Sequence, residues 1–147
     1  MVNYSKLKAE INNDPLIRGY ASMTDQQIAD SLTQTIDRTI VESKTLGALG
    51  IMREVGPTAG AAILDKLEAA AATDSRLKWF MKELTTNGVD IGNPVTRATI
   101  DSLVSAGVIT AAEGVSLKEI PEKAGSRAEE LAIGKIYARD VTLTRTL

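Results

Sequence analysis

Helix-start signals recur along this sequence and divide it into short segments. A hydroxyl residue followed three positions later by Gln or Glu, the pattern of a capping box, begins at Thr24, Thr110 and Ser126. Asn93 and Pro94 give the N-cap and first-turn pattern of another helix. Apolar residues between these signals recur mainly with helical spacing. The sequence therefore predicts a mostly α, compact multi-helix domain.

The first forty residues predict two helices and then a change of conformation. Tyr4, Leu7 and Ile11 place an apolar stripe on a short first helix, which should end before Pro15 because proline disfavours helix in the preceding residue. Residues 37–43 are rich in β-branched side chains, which favours an extended segment or loop. A helix continuing through this segment is the alternative.

The centre of the chain combines an apolar segment with glycines. Apolar residues in segment 44–55 fall around most of a helix circumference, which predicts a central, buried helix. Gly47, Gly50 and Gly60 each weaken a helix by roughly 0.8–1 kcal/mol relative to Ala. We expect them where helix backbones approach closely, with hinges as the alternative.

The last residues of the chain alternate in polarity. Val141 and Leu143 are separated and followed by threonines, and this period of two favours an extended segment. The sequence thus predicts a helical domain over residues 1–134 and an extended C-terminal tail over residues 135–147. Such a tail either adds a strand to a neighbouring subunit or lies, ordered or not, on its own domain.

Trp79 is the only tryptophan, and it lies off the apolar stripe of its helix. Leu77 and Leu84 define that stripe, and Trp79 projects to the other side at about 100° per residue. Aromatic anchors are enriched at protein interfaces, whereas a helix between two layers would bury both faces. Both interpretations stay open. The candidate interface residues are Trp79, Tyr137, Val141 and Leu143.

The composition excludes much of enzyme chemistry. The chain has no Cys and no His, which excludes disulfides, thiolate metal sites and cysteine nucleophiles and removes the commonest proton-transfer side chain. Acidic pairs such as Asp65 with Glu68, or Glu129 with Glu130, could hold Mg²⁺ or act as an acid and a base. Solvated helix faces explain them better. We predict no catalytic residues, no metal site and no cofactor.

Charge and hydropathy give no reason to expect a polymer partner. The 17 Lys and Arg residues nearly balance the 19 Asp and Glu residues, so broad phosphate-backbone binding is not expected. No apolar stretch is long enough to span a bilayer, and the N-terminus has no signal-peptide pattern. We expect neither nucleic acid nor membrane as a partner.

Two segments carry a family resemblance. Residues 14–32 (DPLIRGYASMTDQQIADSL) and residues 126–141 (SRAEELAIGKIYARDV) resemble segments of small, mostly helical proteins of unknown mechanism that are encoded among the structural and assembly genes of tailed bacteriophages. The first has an Asp-Pro-Leu turn, Gly-Tyr and a capped helix, and the second has a Ser-Arg-Ala-x-Glu-Leu helix. Together they cover about a quarter of the chain, and the middle is similar only in its Ala-rich helical style.

The resemblance implies a virion structural protein without a catalytic motif. It would act through protein contacts at the tail, the head-to-tail connection or the capsid surface, in a symmetric homo- or hetero-oligomer with other phage structural proteins. It would be made in the host cytoplasm and reside in the virion. A second hypothesis is a non-virion phage protein that binds a host or phage protein, as an assembly chaperone or a host-defence inhibitor. A carboxylate-only glycosidase is disfavoured because aromatic residues make up only 3% of the chain.

Overall fold

The computed structural model describes residues 1–147 and is built mainly from helices, as predicted. Its helices are α1 (Tyr4–Asn13), α2 (Asp25–Thr33), α3 (Ala48–Val55), α4 (Pro57–Ala71), α5 (Ser75–Thr86), α6 (Pro94–Ser105), α7 (Ala111–Glu119), α8 (Arg127–Glu130) and α9 (Ala138–Thr146). Its strands are β1 (Arg38–Val41), β2 (Thr45–Leu46), β3 (Val89–Asp90) and β4 (Glu122–Gly125). A short 3-10 turn covers Tyr20–Ser22.

The chain divides into two compact units. Unit 1 combines the two ends of the sequence, Met1–Ile40 and Lys123–Leu147, and unit 2 is the continuous segment Val41–Glu122. Each unit has its own cluster of buried apolar residues, and no residue belongs to both clusters. Strand β1 pairs with β4, and the chain passes from one unit to the other within these two strands.

Unit 1 is built from α1, α2, α8 and α9. Helix α9 packs against both α1 and α2, and α2 also packs against α8. Apolar side chains from both ends of the sequence fill the core. They are Leu7, Tyr20, Ile28, Ala29, Leu32, Ala128, Ile133, Ile136 and Val141. This unit therefore forms only when the N-terminal and C-terminal segments meet.

Unit 2 contains helices α3 to α7 and a small antiparallel sheet. Strands β2 and β3 pair Thr45 with Asp90 and Leu46 with Val89. Helix α4 packs against α3 and α5, and α6 packs against α7. The core residues are Ile51, Ile63, Leu67, Leu77, Leu84, Ile91, Ile100, Leu103, Ile109 and Leu117.

Local helix signals are confirmed where their partners lie within a few residues. Thr24 and Thr110 each form a complete capping box, with reciprocal hydrogen bonds to the residue three positions later. The side chain of Asn93 accepts a hydrogen bond from the N–H of Val95 at the start of α6. The first helix ends at Asn13, just before Pro15, and β1 confirms an extended conformation within residues 37–43.

The prediction of an extended C-terminal tail is wrong, because residues Ala138–Thr146 form helix α9. The buried carboxylate of Asp140 accepts a hydrogen bond from the N–H of Tyr137 at 2.9 Å and thereby caps the helix start. Val141 and Thr144, three positions apart, are buried on one face of α9. The alternation of apolar residues with threonines was therefore a helical pattern, with a threonine as part of its buried face.

The predicted central helix over residues 44–55 is also corrected. Helix α3 begins only at Ala48, because Thr45–Leu46 forms strand β2 and Gly47 is the N-cap. Ile51 is the one fully buried residue of α3, while Leu49 is exposed. The apolar residues of this segment thus lie partly in a short strand and partly in a helix of which only one residue is fully buried.

Candidate functional site

Trp79 lies on the surface of unit 2. Helix α5 starts after Asp74, whose carboxylate accepts a hydrogen bond from the N–H of Arg76. Leu77 and Leu84 of this helix enter the core, as predicted, and the opposite face carries Trp79. The tryptophan is 61% exposed, so burial between two layers is excluded. An exposed tryptophan is unusual, since this large ring is generally well buried on average.

Two lysines lie over the ring of Trp79. The Nζ atom of Lys82 is 4.8 Å from the ring centroid and that of Lys78 is 5.9 Å away. Both distances fall within the range of cation–π attraction, which orders long side chains against an aromatic face. Neither lysine forms an ion pair with a carboxylate of its own chain. We call Lys78, Trp79 and Lys82 the α5 surface.

The other three candidate interface residues belong to unit 1 and are not equivalent. Tyr137 is 45% exposed, and the Lys135 Nζ and Arg139 Cζ atoms lie 5.3 and 5.4 Å from its ring centroid. Leu143 is 52% exposed, but it projects from α9 in another direction, six positions further along. Val141 is completely buried in the core and cannot contact a partner.

A chain of buried and half-buried ionic groups crosses unit 1. Arg127 donates hydrogen bonds of 2.9 Å to both carboxylate oxygens of Glu10 and one of 2.7 Å to Glu130. Arg38 in turn donates to both oxygens of Glu130, at 2.8 and 3.1 Å. The hydroxyl of Tyr20 donates to Glu10 at 3.3 Å. These residues come from both ends of the sequence and neutralise one another.

One local sequence signal points to this chain of ionic groups. Glu10 lies three positions after Leu7 and therefore on the inner face of α1, where a carboxylate needs a cation. The identity of that cation, Arg127, could not be inferred, because 117 positions separate the two residues.

The pKa shifts of these groups stabilise one protonation state of each, the charged one for Glu130 and Arg127 and the neutral one for Tyr20. Hydrogen bonds from Arg38 and Arg127 lower the pKa of Glu130 to about 2, against the opposing effect of burial. Burial raises the pKa of Tyr20, and the hydrogen bonds to Glu10 raise the pKa of Arg127. Elsewhere hydrogen bonds raise the pKa of Tyr4 and lower that of Glu113. Each of these shifts moves the pKa of the group further from pH 7. A general acid or base, by contrast, works best with a pKa near the working pH.

The acidic pairs noted in the sequence do not assemble into a metal site. No three side chains of the types His, Cys, Asp and Glu lie close enough together to hold a metal ion. Glu130 of the second pair is occupied by two arginines. Asp65 and Glu68 are exposed on α4 and form no ion pair within the chain.

Ile17 is a surface feature that sequence patterns did not reveal. Its backbone is left-handed, with φ of 54°, and its side chain is 90% exposed. The Asp14 carboxylate fixes this turn by accepting hydrogen bonds of 2.7 Å from the N–H groups of Arg18 and Gly19. The Arg18 side chain pairs with Asp37. A β-branched residue in this conformation is strained, and the surrounding hydrogen bonds hold it there.

Comparisons with known proteins add no relative. No family model, no curated protein and no solved structure matches the chain. No helix combines the length and the apolar character needed to span a membrane.

Proposed function

We propose that this chain is a structural component of a tailed-bacteriophage particle and acts through protein–protein contacts rather than catalysis. Its place would be the tail, the head-to-tail connection or the capsid surface, in a symmetric assembly with other phage structural proteins. It would be made in the host cytoplasm and carried in the virion. The observation that carries the proposal is the α5 surface, where the only tryptophan is exposed between two lysines without carboxylate partners.

The geometry of the α5 surface suits a contact site. Tryptophan is among the residues that contribute most to binding energy when a partner covers them. The two lysines would lose little side-chain freedom on binding, because they already lie against the ring. A partner that covers the ring and offers carboxylates would therefore gain both apolar burial and charge pairing.

The ionic groups support a non-enzymatic role. The most buried ones, in Glu10 and Arg127, neutralise each other by direct hydrogen bonds. Their arrangement is that of an ion pair that holds α1 and α8 together, rather than that of a site that exchanges protons with a substrate.

The phage resemblance is supported by where its two segments lie. Residues 14–32 and 126–141 both belong to unit 1, and Ile28 of the first shares a core with Ala128 of the second. The two segments that carry the resemblance thus build one unit, as expected if that unit is the common part.

Quantitative mass spectrometry of gradient-purified particles from the source virus tests the proposal. The expected result is a fixed copy number relative to the major capsid protein. Hundreds of copies would indicate the capsid surface or tail tube, and a small symmetric number would indicate a connector or baseplate. Absence from particles, with the protein present in infected cells, would overturn the proposal and favour a non-virion protein that binds a host or phage protein.

A further inference from the structure

We infer that the α5 surface of one copy docks on the exposed face of α4 of a second copy. This inference rests on the proposed function and names one partner of the contact surface. The α4 face consists of Asp65 and Glu68 together with Ala62 and Ala69, which are all exposed. Their spacing of three, four and seven positions places them on one side of the helix.

The distribution of charge within unit 2 indicates a carboxylate-bearing occupant. Residues 41–122 contain eight basic and eleven acidic side chains, and most of the basic ones are paired within the chain. The unpaired cations are Arg53, Lys78 and Lys82, two of which lie beside Trp79. Unit 2 is therefore acidic as a whole but presents one basic, aromatic surface. The negative net charge of a second copy would attract that surface.

The α4 face offers what that surface lacks. Asp65 and Glu68 have no ion-pair partner within the chain, although α4 and α5 pack against each other in the same unit. The pairing left unmade within one copy is available between two copies. Ala62 and Ala69 flank the carboxylates with small side chains, so that a large ring can approach the helix backbone closely.

Each copy carries one α5 surface and one α4 face. The contact therefore either closes reciprocally in a dimer or continues from copy to copy into a ring or filament. A contact of this kind can be individually weak and still hold an assembly through repetition.

Sedimentation velocity of the full chain over a concentration series tests the inference. We expect reversible, concentration-dependent association that weakens as salt rises from roughly 0.05 to 0.5 M, because screening reduces the attraction of exposed charges. Fluorescence of Trp79, the only tryptophan, should shift to shorter wavelength over the same concentrations as the ring is covered. A monomer throughout the series, with unchanged emission, would overturn the inference.

Variants identify the two faces. Trp79→Ala should weaken association on the order of tenfold or more, as expected of an interface anchor. Val95→Ala, at another exposed apolar residue of unit 2, is the matched control and should leave association unchanged. Lys82→Glu should weaken association more than Arg53→Glu, which changes the net charge equally at an unpaired cation outside the α5 surface. Circular dichroism confirms that each variant is folded.

Charge exchange tests the pairing itself. The double variant Lys78→Glu/Lys82→Glu should remain monomeric, and so should Asp65→Lys/Glu68→Lys. An equimolar mixture of the two should associate, because each supplies the charge that the other now needs. A mixture that stays monomeric overturns the assignment of α4 as the occupant.

The two proposals fail separately. A protein found in particles but monomeric in solution overturns the self-docking inference and leaves the structural role standing. Salt-sensitive association of a protein absent from particles overturns the structural role alone.

Discussion

Arg127 donates two hydrogen bonds of 2.9 Å to the carboxylate of Glu10, a residue 117 positions away in the sequence. Both side chains are buried, and the pair links helix α1 to helix α8 within unit 1. The hydroxyl of Tyr20 adds a third hydrogen bond to the same carboxylate. The N-terminal and C-terminal segments are thus held together by a charge pair as well as by their shared apolar core.

Replacing Arg127 with Met should destabilise the protein strongly. The substitution leaves the Glu10 carboxylate buried without a cation, which costs about 3–5 kcal/mol when a buried pair is broken. Urea unfolding followed by circular dichroism measures the loss. The double variant Glu10→Leu/Arg127→Met should recover much of it, since no unpaired charge remains. Arg76→Met, at a highly exposed arginine, is the control, and equal stability of R127M and R76M would contradict the prediction.

Glu130 should make stability depend on pH in the acid range. Arg38 and Arg127 lower its pKa from 4.5 to about 2 in the folded protein. As pH falls below about 4.5, the unfolded chain takes up a proton that the folded protein does not, so the stabilisation is lost between about 4.5 and about 2. The Glu130→Gln variant should lose less stability than the wild type over this range.

The comparison variant for this pH series is Glu129→Gln. Glu129 neighbours Glu130 on α8 but forms no ion pair. Its urea midpoints should follow those of the wild type from pH 7 to the acid range. A Glu130→Gln curve parallel to both would mean that the arginine contacts do not hold this carboxylate in its charged form.

The helix starts and the position of Trp79 opposite the apolar stripe are predictable because their determinants are local. A cap such as Thr24 needs only the residue three positions on, and the side of the helix on which Trp79 lies follows from helical geometry, whereas its exposure depends on the packing of the whole unit. The mostly α class followed from the same signals. Predictions at this range required no knowledge of tertiary partners.

The prediction of an extended C-terminal segment is wrong because the partners of that segment lie at the other end of the chain. The Arg145 side chain hydrogen-bonds to Asp25 and to the carbonyl of Met23, and the hydroxyl of Tyr4 donates to Asp140. These contacts favour helix over the extended form that the local alternation suggested. An extended segment would place Val141 and Leu143 on one side, whereas helix α9 separates them, so that Val141 is buried in the core and Leu143 is exposed.

Gly60 should not tolerate Ala, although Ala favours helix. A Cβ atom at Gly60 would lie 2.7 Å from the Cα atom of Met52, so the backbones of α3 and α4 would have to separate. Overpacking outweighs the propensity gain and should leave a net loss of about 1–2 kcal/mol. Gly50→Ala is the comparison, because the atoms nearest to its Cβ, at 3.0 and 3.1 Å, belong to the side chain of Leu46 rather than to backbone, so that the clash is smaller. Thermal unfolding compares the two variants, and a loss of stability in G60A no larger than that in G50A would disprove the close approach.

Ile17→Gly should stabilise the protein. The left-handed backbone of Ile17 strains a β-branched residue by roughly 1–2 kcal/mol, while the exposed side chain contributes little packing. The greater freedom of Gly in the unfolded chain offsets part of the gain, leaving about 0.5–1 kcal/mol. Ile36→Gly, at an exposed isoleucine without positive φ, should instead be neutral or destabilising. Chemical denaturation measures the free energy of unfolding of each variant. An Ile17→Gly variant no more stable than the wild type would show that the residue is not strained.

Residues 41–122 should fold when expressed alone. All residues of the larger apolar core lie within this segment, so excision removes none of them. Its ends are also joined, since the N–H of Glu42 donates a hydrogen bond of 2.9 Å to the carbonyl of Pro121. We expect a helical circular dichroism spectrum, a cooperative thermal transition and emission from Trp79 equal to that of the full chain at the same low concentration. The Leu67→Asp variant of the segment, with a charge in the core, is the unfolded control. A segment that resembles this control would mean that unit 2 needs the rest of the chain in order to fold.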